Sequence, residues 1–373
     1  MPYKFRKKLG PSACSFIEEI IDGMQDWVRV INKENTIIFV NKSMRKALGM
    51  DIVGQKCYRL LGKTSPCNNC VSRCLTNCPN TKEEIINGRT FSVTSSPLKN
   101  NDADSEEAVV EVLHDITDLK NMSIALEAQN TLLKQDLLMA KSLQYTLLPK
   151  ESLTCEKIDF SYIYKPCETL GGDFIDIFKM DEDHIGLYIA DVSGHGVAAS
   201  MLTMFLCTAL DKSQLSPSKA LSQLYKSYNG NNFFHELYIA VFYVVLDIRN
   251  NTMTYSNAGL NVCPILFSGN KYQILRVPGI PISNWLEDPG YTEVTININS
   301  KDRLFLYTDG IIEVRNKLGN QFGEERLLEH LLESDLPPQQ TLSSMVQKAI
   351  SFSDKGSQND ITDDITVALL EVE

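Results

Sequence analysis

Apolar and polar positions change rhythm twice along the chain. As far as about residue 118, short apolar runs alternate with turn-forming residues. Phe16 to Met24 is spaced as a short apolar helix. Trp27-Val28-Arg29-Val30-Ile31 and Thr36-Ile37-Ile38-Phe39-Val40-Asn41 read as strands, and the turn Asn32-Lys33-Glu34-Asn35 between them predicts a hairpin. Two further strands, Arg89 to Pro97 and Ala108 to His114, flank the polar stretch Asn100 to Glu107. Residues 13–118 therefore read as a small α/β module.

The second rhythm covers residues 119–148, which contain neither Gly nor Pro. Leu119, Leu126, Leu133, Ala140 and Leu147 recur every seven residues, which predicts a helix of roughly eight turns able to pair in a coiled coil. Gln129, Asn130 and Asp136 interrupt the second seam, so a single amphipathic helix packed on the domains is the alternative. Pro149 ends the helix. Residues 150–373 are strand-rich. Strands are expected at Ile158–Tyr164, Ile185–Asp191, Leu237–Leu246, Met253–Asn257, Ile265–Phe267, Thr292–Ile298, Leu304–Tyr307 and Ile365–Val372. Helices are expected at Val197–Asp211, Ser218–Tyr228, Gly323–Glu333 and Gln339–Ser351. Strands outnumber βαβ units, so the region should be antiparallel sheets packed together and flanked by helices. The chain as a whole is α+β.

Composition narrows the functional classes. A chain of 373 residues with 43% hydrophobic and 22% charged positions is an ordinary globular protein of two or three domains. A net charge of −11 disfavours a broad nucleic-acid footprint. Residues 1–120 carry 17 Lys and Arg against 15 Asp and Glu, so the acidity lies in the C-terminal part. No apolar run reaches the ~20 residues of a membrane helix, and the basic start, Met1 to Leu9, leads into no signal-peptide core. The expectation is a cytoplasmic protein without membrane insertion.

Cysteine is concentrated. Five of the ten, Cys57, Cys67, Cys70, Cys74 and Cys78, fall within one short segment. Cys67-Asn68-Asn69-Cys70 is a CxxC, and spacing by four would align Cys70, Cys74 and Cys78 on one helical face. Such a set suits tetrahedral thiolate coordination of Zn²⁺ or an iron–sulfur cluster, or a thiol switch. Buried thiols that merely pack are the plainer alternative.

Acidic motifs stand at strand ends in the C-terminal part. Leu187 to Ala190 delivers Asp191 into Val192-Ser193-Gly194-His195-Gly196. Leu304 to Tyr307 leads to Thr308-Asp309-Gly310, and Asp363-Asp364-Ile365-Thr366 opens the last strand. Asp173 lies in Gly171-Gly172-Asp173-Phe174. Hard divalent cations need several carboxylate oxygens converging from rigid elements, and strand ends supply that rigidity. A lone Asp-Gly is more simply a turn. Asp360-Ile361-Thr362 repeats the tripeptide of Asp364-Ile365-Thr366, and the second copy is preferred because Val367-Ala368-Leu369-Leu370 continues it as a buried strand.

Two resemblances follow. The hairpin ending at Val40-Asn41, then Ile52-Val53-Gly54 and the closing Asp115-Ile116-Thr117, resembles a PAS sensor domain. The ordered set Gly-Gly-Asp-Phe, Asp-Val-Ser-Gly-His-Gly, Tyr-Thr-Asp-Gly and Asp-Asp-Ile-Thr resembles the PPM class of metal-dependent protein serine/threonine phosphatases, in its SpoIIE-like branch. This second resemblance spans about 140–373 and includes the helix end Leu143-Gln144-Tyr145-Thr146-Leu147-Leu148-Pro149. It implies a PPM-type β-sandwich holding two Mg²⁺ or Mn²⁺ ions, with Asp191 bridging them and the Val192 carbonyl beside it. Asp309 and Asp363, with its neighbour Asp364, would serve from the far side, and Asp173 directly or through water. The implied reaction is metal-assisted hydrolysis without a phosphoenzyme. The implied substrate is a phosphoserine or phosphothreonine protein of the STAS, anti-anti-sigma type, in a partner-switching pathway. The heptad pattern of residues 119–148 adds the expectation of a homodimer.

His195 is either a general acid or a residue that only caps its turn. Ser193 sits next to it in sequence, which does not supply the geometry of a nucleophilic Ser–His pair. Gly171-Gly172-Asp173-Phe174 superficially matches a diguanylate cyclase signature, but Ile175-Asp176 breaks it. The rival reading is a non-catalytic redox or metal sensor acting through protein–protein contacts. Loss of a metal carboxylate would favour it, and none is lost.

Overall fold

The apolar run from Trp27 builds an inner strand of an antiparallel sheet. The computed structural model describes residues 11–67, 70, 80–98, 108–150, 157–230, 237–353 and 362–373, and the chain divides into two units, Met1–Leu132 and Leu133–Glu373. In the first unit α1 (Pro11–Gly23) leads to β1 (Trp27–Asn32), β2 (Ile37–Val40) and α2 (Lys42–Leu48). A 3₁₀ turn at Cys57–Leu61, β3 (Asn80–Ile86), β4 (Arg89–Leu98) and β5 (Ala108–Asp115) complete it. The strand order is β2-β1-β5-β4-β3, antiparallel throughout. Trp27 and Phe91 meet at 4.3 Å between ring centroids within a core that includes Ile37, Met44 and Leu113. Asn41 fixes the exit of the hairpin. Its Oδ1 accepts from Val28 N and Met44 N, both at 3.1 Å, which also caps α2, and its amide donates to Asp26 O at 2.9 Å.

The sequence pattern predicts two strands after the cysteines, and the structure has three. β3 lacks the expected apolar face because two of its inward positions are Lys82 and Glu84. They join a buried charge cluster rather than the apolar core. Arg29 Nε donates to Glu111 at 2.6 Å and its Nη2 to Glu84 at 2.7 Å, while Lys82 pairs with Glu84 at 2.7 Å and Glu111 at 3.3 Å. Ser95 Oγ donates to Glu111 at 3.0 Å.

Helix α3 (Thr117–Leu147) is continuous over 31 residues. Its heptad positions Leu119, Leu126 and Leu133 are exposed, at 66%, 58% and 56%.

The second unit runs β6 (Ile158–Lys165), β7 (Phe174–Lys179), β8 (His184–Val192), α4 (Val197–Ala209), α5 (Pro217–Gly230), β9 (Ile239–Asp247), β10 (Thr252–Ala258) and β11 (Ile265–Ser268). It continues with β12 (Lys271–Ile274), β13 (Glu293–Asn297), β14 (Arg303–Tyr307), α6 (Gly310–Glu313), α7 (Gly323–Glu333), α8 (Pro338–Phe352) and β15 (Ile365–Val372). Two five-stranded antiparallel sheets result, β13-β10-β9-β8-β7 and β12-β11-β14-β15-β6. Helix α4 packs on β8, α5 on β9 and β10, and α8 on β6 and β15. Strands β8 and β9 are buried on both faces, which is why they read as continuous apolar runs rather than as alternation. Strands β7 and β12 and the single-turn α6 are absent from the sequence expectation. β7 follows the acidic motif without a break, and β12 is a mostly exposed edge with little apolar signal.

Candidate metal centre

The acidic motifs come together because the two sheets present matching ends. β8 ends at Val192 opposite the start of β7, and β14 ends opposite the start of β15. Asp191 and Asp173 thus come from one sheet, and Asp309, Asp363 and Asp364 from the other. Glycine permits the approach. A Cβ on Gly172 would lie 2.8 Å from the Val192 carbonyl oxygen and 2.9 Å from that of Gly194, and one on Gly310 would collide with the Asp364 carbonyl.

Each carboxylate has its own environment. Asp173 is 2% exposed, and its Oδ2 accepts from Thr308 Oγ1 and Thr366 Oγ1, both at 2.7 Å. Burial, then the charges of Asp191 and Asp364, hold its carboxyl well above the usual range. Burial likewise pushes Asp191 up to about 7, helped by Asp309, Asp363 and Asp364. Asp363 is raised too, first by burial and then by Asp309 and Asp364. Asp309 Oδ2 accepts from Asn261 Nδ2 at 2.6 Å. Asp364 differs, for both its oxygens are taken by backbone donors: Cys167 N at 2.7 Å, Gly172 N at 2.6 Å and Asp173 N at 3.3 Å.

Among the described residues, no Lys, Arg or His forms an ion pair with any of these five. Nor are three or more His, Cys, Asp or Glu side chains drawn into a finished coordination sphere there. The carboxylates sit within range of mutual repulsion, which raises Asp173, Asp191 and Asp363. That donor set fits a hard divalent cation, whose charge would relieve the repulsion.

Comparison with known proteins gives the site a context. Residues 181–373, just over half of the chain, match the family described as Stage II sporulation protein E (SpoIIE). The chain belongs to the SpoIIE family. Residues 25–118 match a PAS domain, so this SpoIIE-family chain carries a PAS domain ahead of its catalytic-type unit. Protein IcfG of Synechocystis is 24% identical over 275 residues, covering 65% of this chain and 42% of that protein. Phosphoserine phosphatase RsbP of Bacillus subtilis is 28% identical over 189 residues, covering 48% of this chain and 46% of that protein. The chain thus spans less than half the length of these two curated relatives. The SiaA-PP2C domain of Pseudomonas aeruginosa superposes with a TM-score of 0.58 at 19% identity, over 66% of this chain and 99% of that domain. That likeness assigns the PP2C, or PPM-type, fold.

Other candidates fall outside the SpoIIE-type cluster or on its rim. His195 Nδ1 faces Glu168 Oε1 at 3.1 Å, with both side chains more than half exposed. Ser193 is occupied with the backbone, its Oγ accepting from Tyr238 N at 2.9 Å and its N donating to Tyr238 O at 3.0 Å. Of the cysteines, Cys74 and Cys78 lie outside the described residues, as do Asp360 and Ile361. Cys70 Sγ contacts Asn35 Oδ1 at 3.8 Å, and Cys67 Sγ accepts from Lys63 Nζ at 3.5 Å. Burial pushes the Cys57 thiol up to about 11 despite nearby Arg29.

The residues missed by sequence reasoning are those that hold the acids. Thr308 and Thr366 stand inside the quoted motifs, one position from an Asp and two from another, so their proximity was available. Asn261 carried no signal beyond a turn-like composition, and its role depends on a loop meeting β14 in space.

Proposed function

We propose that this chain is a metal-dependent protein serine/threonine phosphatase under control of its PAS domain. The observation supporting this most directly is the convergence of aspartates from two sheets, with Asp173 and Asp364 buried, Asp173, Asp191 and Asp363 raised, and no cation paired with them among the described residues. Asp191, Asp309 and Asp363, with the Val192 carbonyl, would hold two Mn²⁺ or Mg²⁺ ions. When bound, those ions supply Lewis acidity toward phosphoryl oxygens and lower the pKa of water. The chain's own residues set the geometry. Thr308 and Thr366 fix one oxygen of Asp173 and leave the other directed by the loop. Asp364 is a tie between the Cys167–Asp173 segment and β15 rather than an open ligand. Asn261 orients Asp309.

The substrate class in this proposal is a phosphoserine or phosphothreonine protein of the anti-anti-sigma, STAS type. RsbP and the similar RsbU, both named phosphoserine phosphatases, support the phosphoserine part of that choice. Dimerisation through the exposed seam of Leu119, Leu126 and Leu133 is part of the reading. An iron–sulfur or zinc site at Cys57, Cys67, Cys70, Cys74 and Cys78 is left out of it: Cys70 Sγ meets Asn35 Oδ1 and Cys67 Sγ meets Lys63 Nζ, contacts that support neither.

Phosphate release from a phosphoserine peptide by the full chain, stripped with chelator and reconstituted with Mn²⁺, tests the proposal. Turnover should depend on Mn²⁺. Asp309→Asn should lower it by more than ~100-fold, beyond the ~10- to 100-fold typical of outer groups. Equal turnover by Asp309→Asn would overturn the assignment.

A further inference from the structure

Near its C-terminal end, helix α3 buries an amide. Gln144 is 2% exposed while its neighbours Leu143 and Tyr145 are exposed. A buried amide is costly unless its hydrogen bonds are met, and here they are. Nε2 donates to the Gly171 carbonyl at 2.8 Å and to Thr203 Oγ1 at 3.3 Å. Oε1 accepts from Gly171 N and from the Tyr164 hydroxyl, both at 3.3 Å. Gly171 offers one donor and one acceptor, so only this orientation of the amide satisfies both.

Gly171 opens the loop Gly171-Gly172-Asp173 that carries the acid. The next two backbone N–H groups, of Gly172 and Asp173, donate to Asp364 Oδ2, and the Asp173 side chain spans to Thr308 and Thr366. A Cβ at position 171 would stand 2.6 Å from Asp364 Oδ2 and against the Tyr164 hydroxyl, so no side chain of its own can steady this residue. Gln144 supplies that steadying from outside, gripping both the N–H and the C=O of one peptide-bearing residue.

We propose that Gln144 is a positioning residue for the metal centre, clamping Gly171 so that Gly172, Asp173 and Asp364 keep the geometry a divalent cation requires. The inference rests on the metal-centre reading above. Groups that orient metal ligands typically contribute 10- to 100-fold to affinity. The two hydrogen bonds to Gly171 act one residue further out, which places Gln144 at the lower end of that range.

The test is Mn²⁺ titration of the full chain, followed by electron paramagnetic resonance of the free ion, with thermal unfolding in chelator measured alongside. Gln144→Met keeps the length and removes every hydrogen bond. Gln144→Glu keeps the acceptor toward Gly171 N and Tyr164 but loses the donors. Both should weaken Mn²⁺ binding by ~10-fold relative to wild type, with kcat for phosphate release reduced as well. If a variant melts earlier in chelator yet binds Mn²⁺ as tightly as wild type, Gln144 is structural and the proposal is wrong. Should one variant fail to fold, the other decides. If wild type itself binds no Mn²⁺, the metal-centre reading falls first, a result distinguishable from equal binding by wild type and variants.

Discussion

The two units each gather a cluster of charge, and the clusters are built on opposite plans. In the PAS unit, Arg29 and Lys82 face Glu84 and Glu111, two cations against two anions, joined by direct hydrogen bonds. In the catalytic-type unit, five aspartates converge with hydroxyl, amide and backbone partners, none cationic among the described residues. The titration behaviour follows. Burial alone would raise the Glu111 carboxyl, but Arg29 and Lys82 outweigh it and the group is lowered. Burial also raises Asp191, and there the neighbouring charges add to it. A self-neutralised cluster is a structural element. An uncompensated one is complete only with something from outside, and this difference separates a site from a tie where residue types alone would not.

The largest expected effect of a substitution on stability comes from unbalancing the neutral cluster. Arg29→Met would leave Glu84 and Glu111 facing only Lys82 in a buried place. Removing one partner of a buried ion pair costs ~3–5 kcal/mol, and the remaining Lys82 favours the lower end. Denaturant unfolding of the full chain in a Trp285→Phe background, where Trp27 is the remaining tryptophan, should show that loss in the transition of the PAS unit. A variant as stable as wild type would mean the cluster is not what holds β1, β3 and β5 in register.

How much of this was legible in the sequence depends on what each element presents to its neighbours. β8, β14 and β15 announced themselves because both faces are covered and their residues are apolar. β3 was illegible because its inward Lys82 and Glu84 find cross-strand partners in Glu111, 29 residues from Lys82, and Arg29, 55 residues from Glu84, and periodicity carries no record of pairing. The same contrast runs through the site. Asp191, Asp309 and Asp363 could be named from strand-end position. That Asp364 is consumed by backbone N–H groups, or that Gln144 grips Gly171, required knowing which loops meet.

The comparison sharpens when proton binding is made to report it. Asp191 titrates near 3.8 when unfolded and at about 7 in the fold, so between these values the folded state holds protons that the unfolded state has released. Stability of the metal-free catalytic unit should therefore fall as pH rises from about 4 to about 7, by on the order of 4 kcal/mol, since each pKa unit corresponds to ~1.4 kcal/mol. Glu111 has the opposite sign. Its folded value lies below the unfolded 4.5, so its contribution is present at neutral pH and is lost only on acidification. Hydrogen exchange of the full chain in chelator, corrected for intrinsic rates and resolved by unit, should show protection falling with pH in 133–373 and holding in 1–132. Parallel slopes in the two units would contradict the distinction.

The smallest effect is also the one most specific to the uncompensated plan. Asp191→Asn removes one negative charge from a cluster of like charges while leaving the side chain's shape almost unchanged. At pH 8 in chelator, where the wild-type group is ionised, the variant should be more stable by roughly 1 kcal/mol. That is a fraction of what like charges a few Å apart cost at the effective dielectric of a protein. A mutation at the heart of the proposed centre would then stabilise the fold, whereas Arg29→Met destabilises it. Saturating Mn²⁺ should reverse the order. Wild type would gain ~2.7 kcal/mol at a hundredfold excess over its dissociation constant, and the variant, short of a ligand, would gain less. Paired melts of wild type and Asp191→Asn, with chelator and with Mn²⁺, carry the comparison. If Asp191→Asn is the less stable of the two in chelator, its carboxylate supports the fold, and the contrast between the two clusters does not hold.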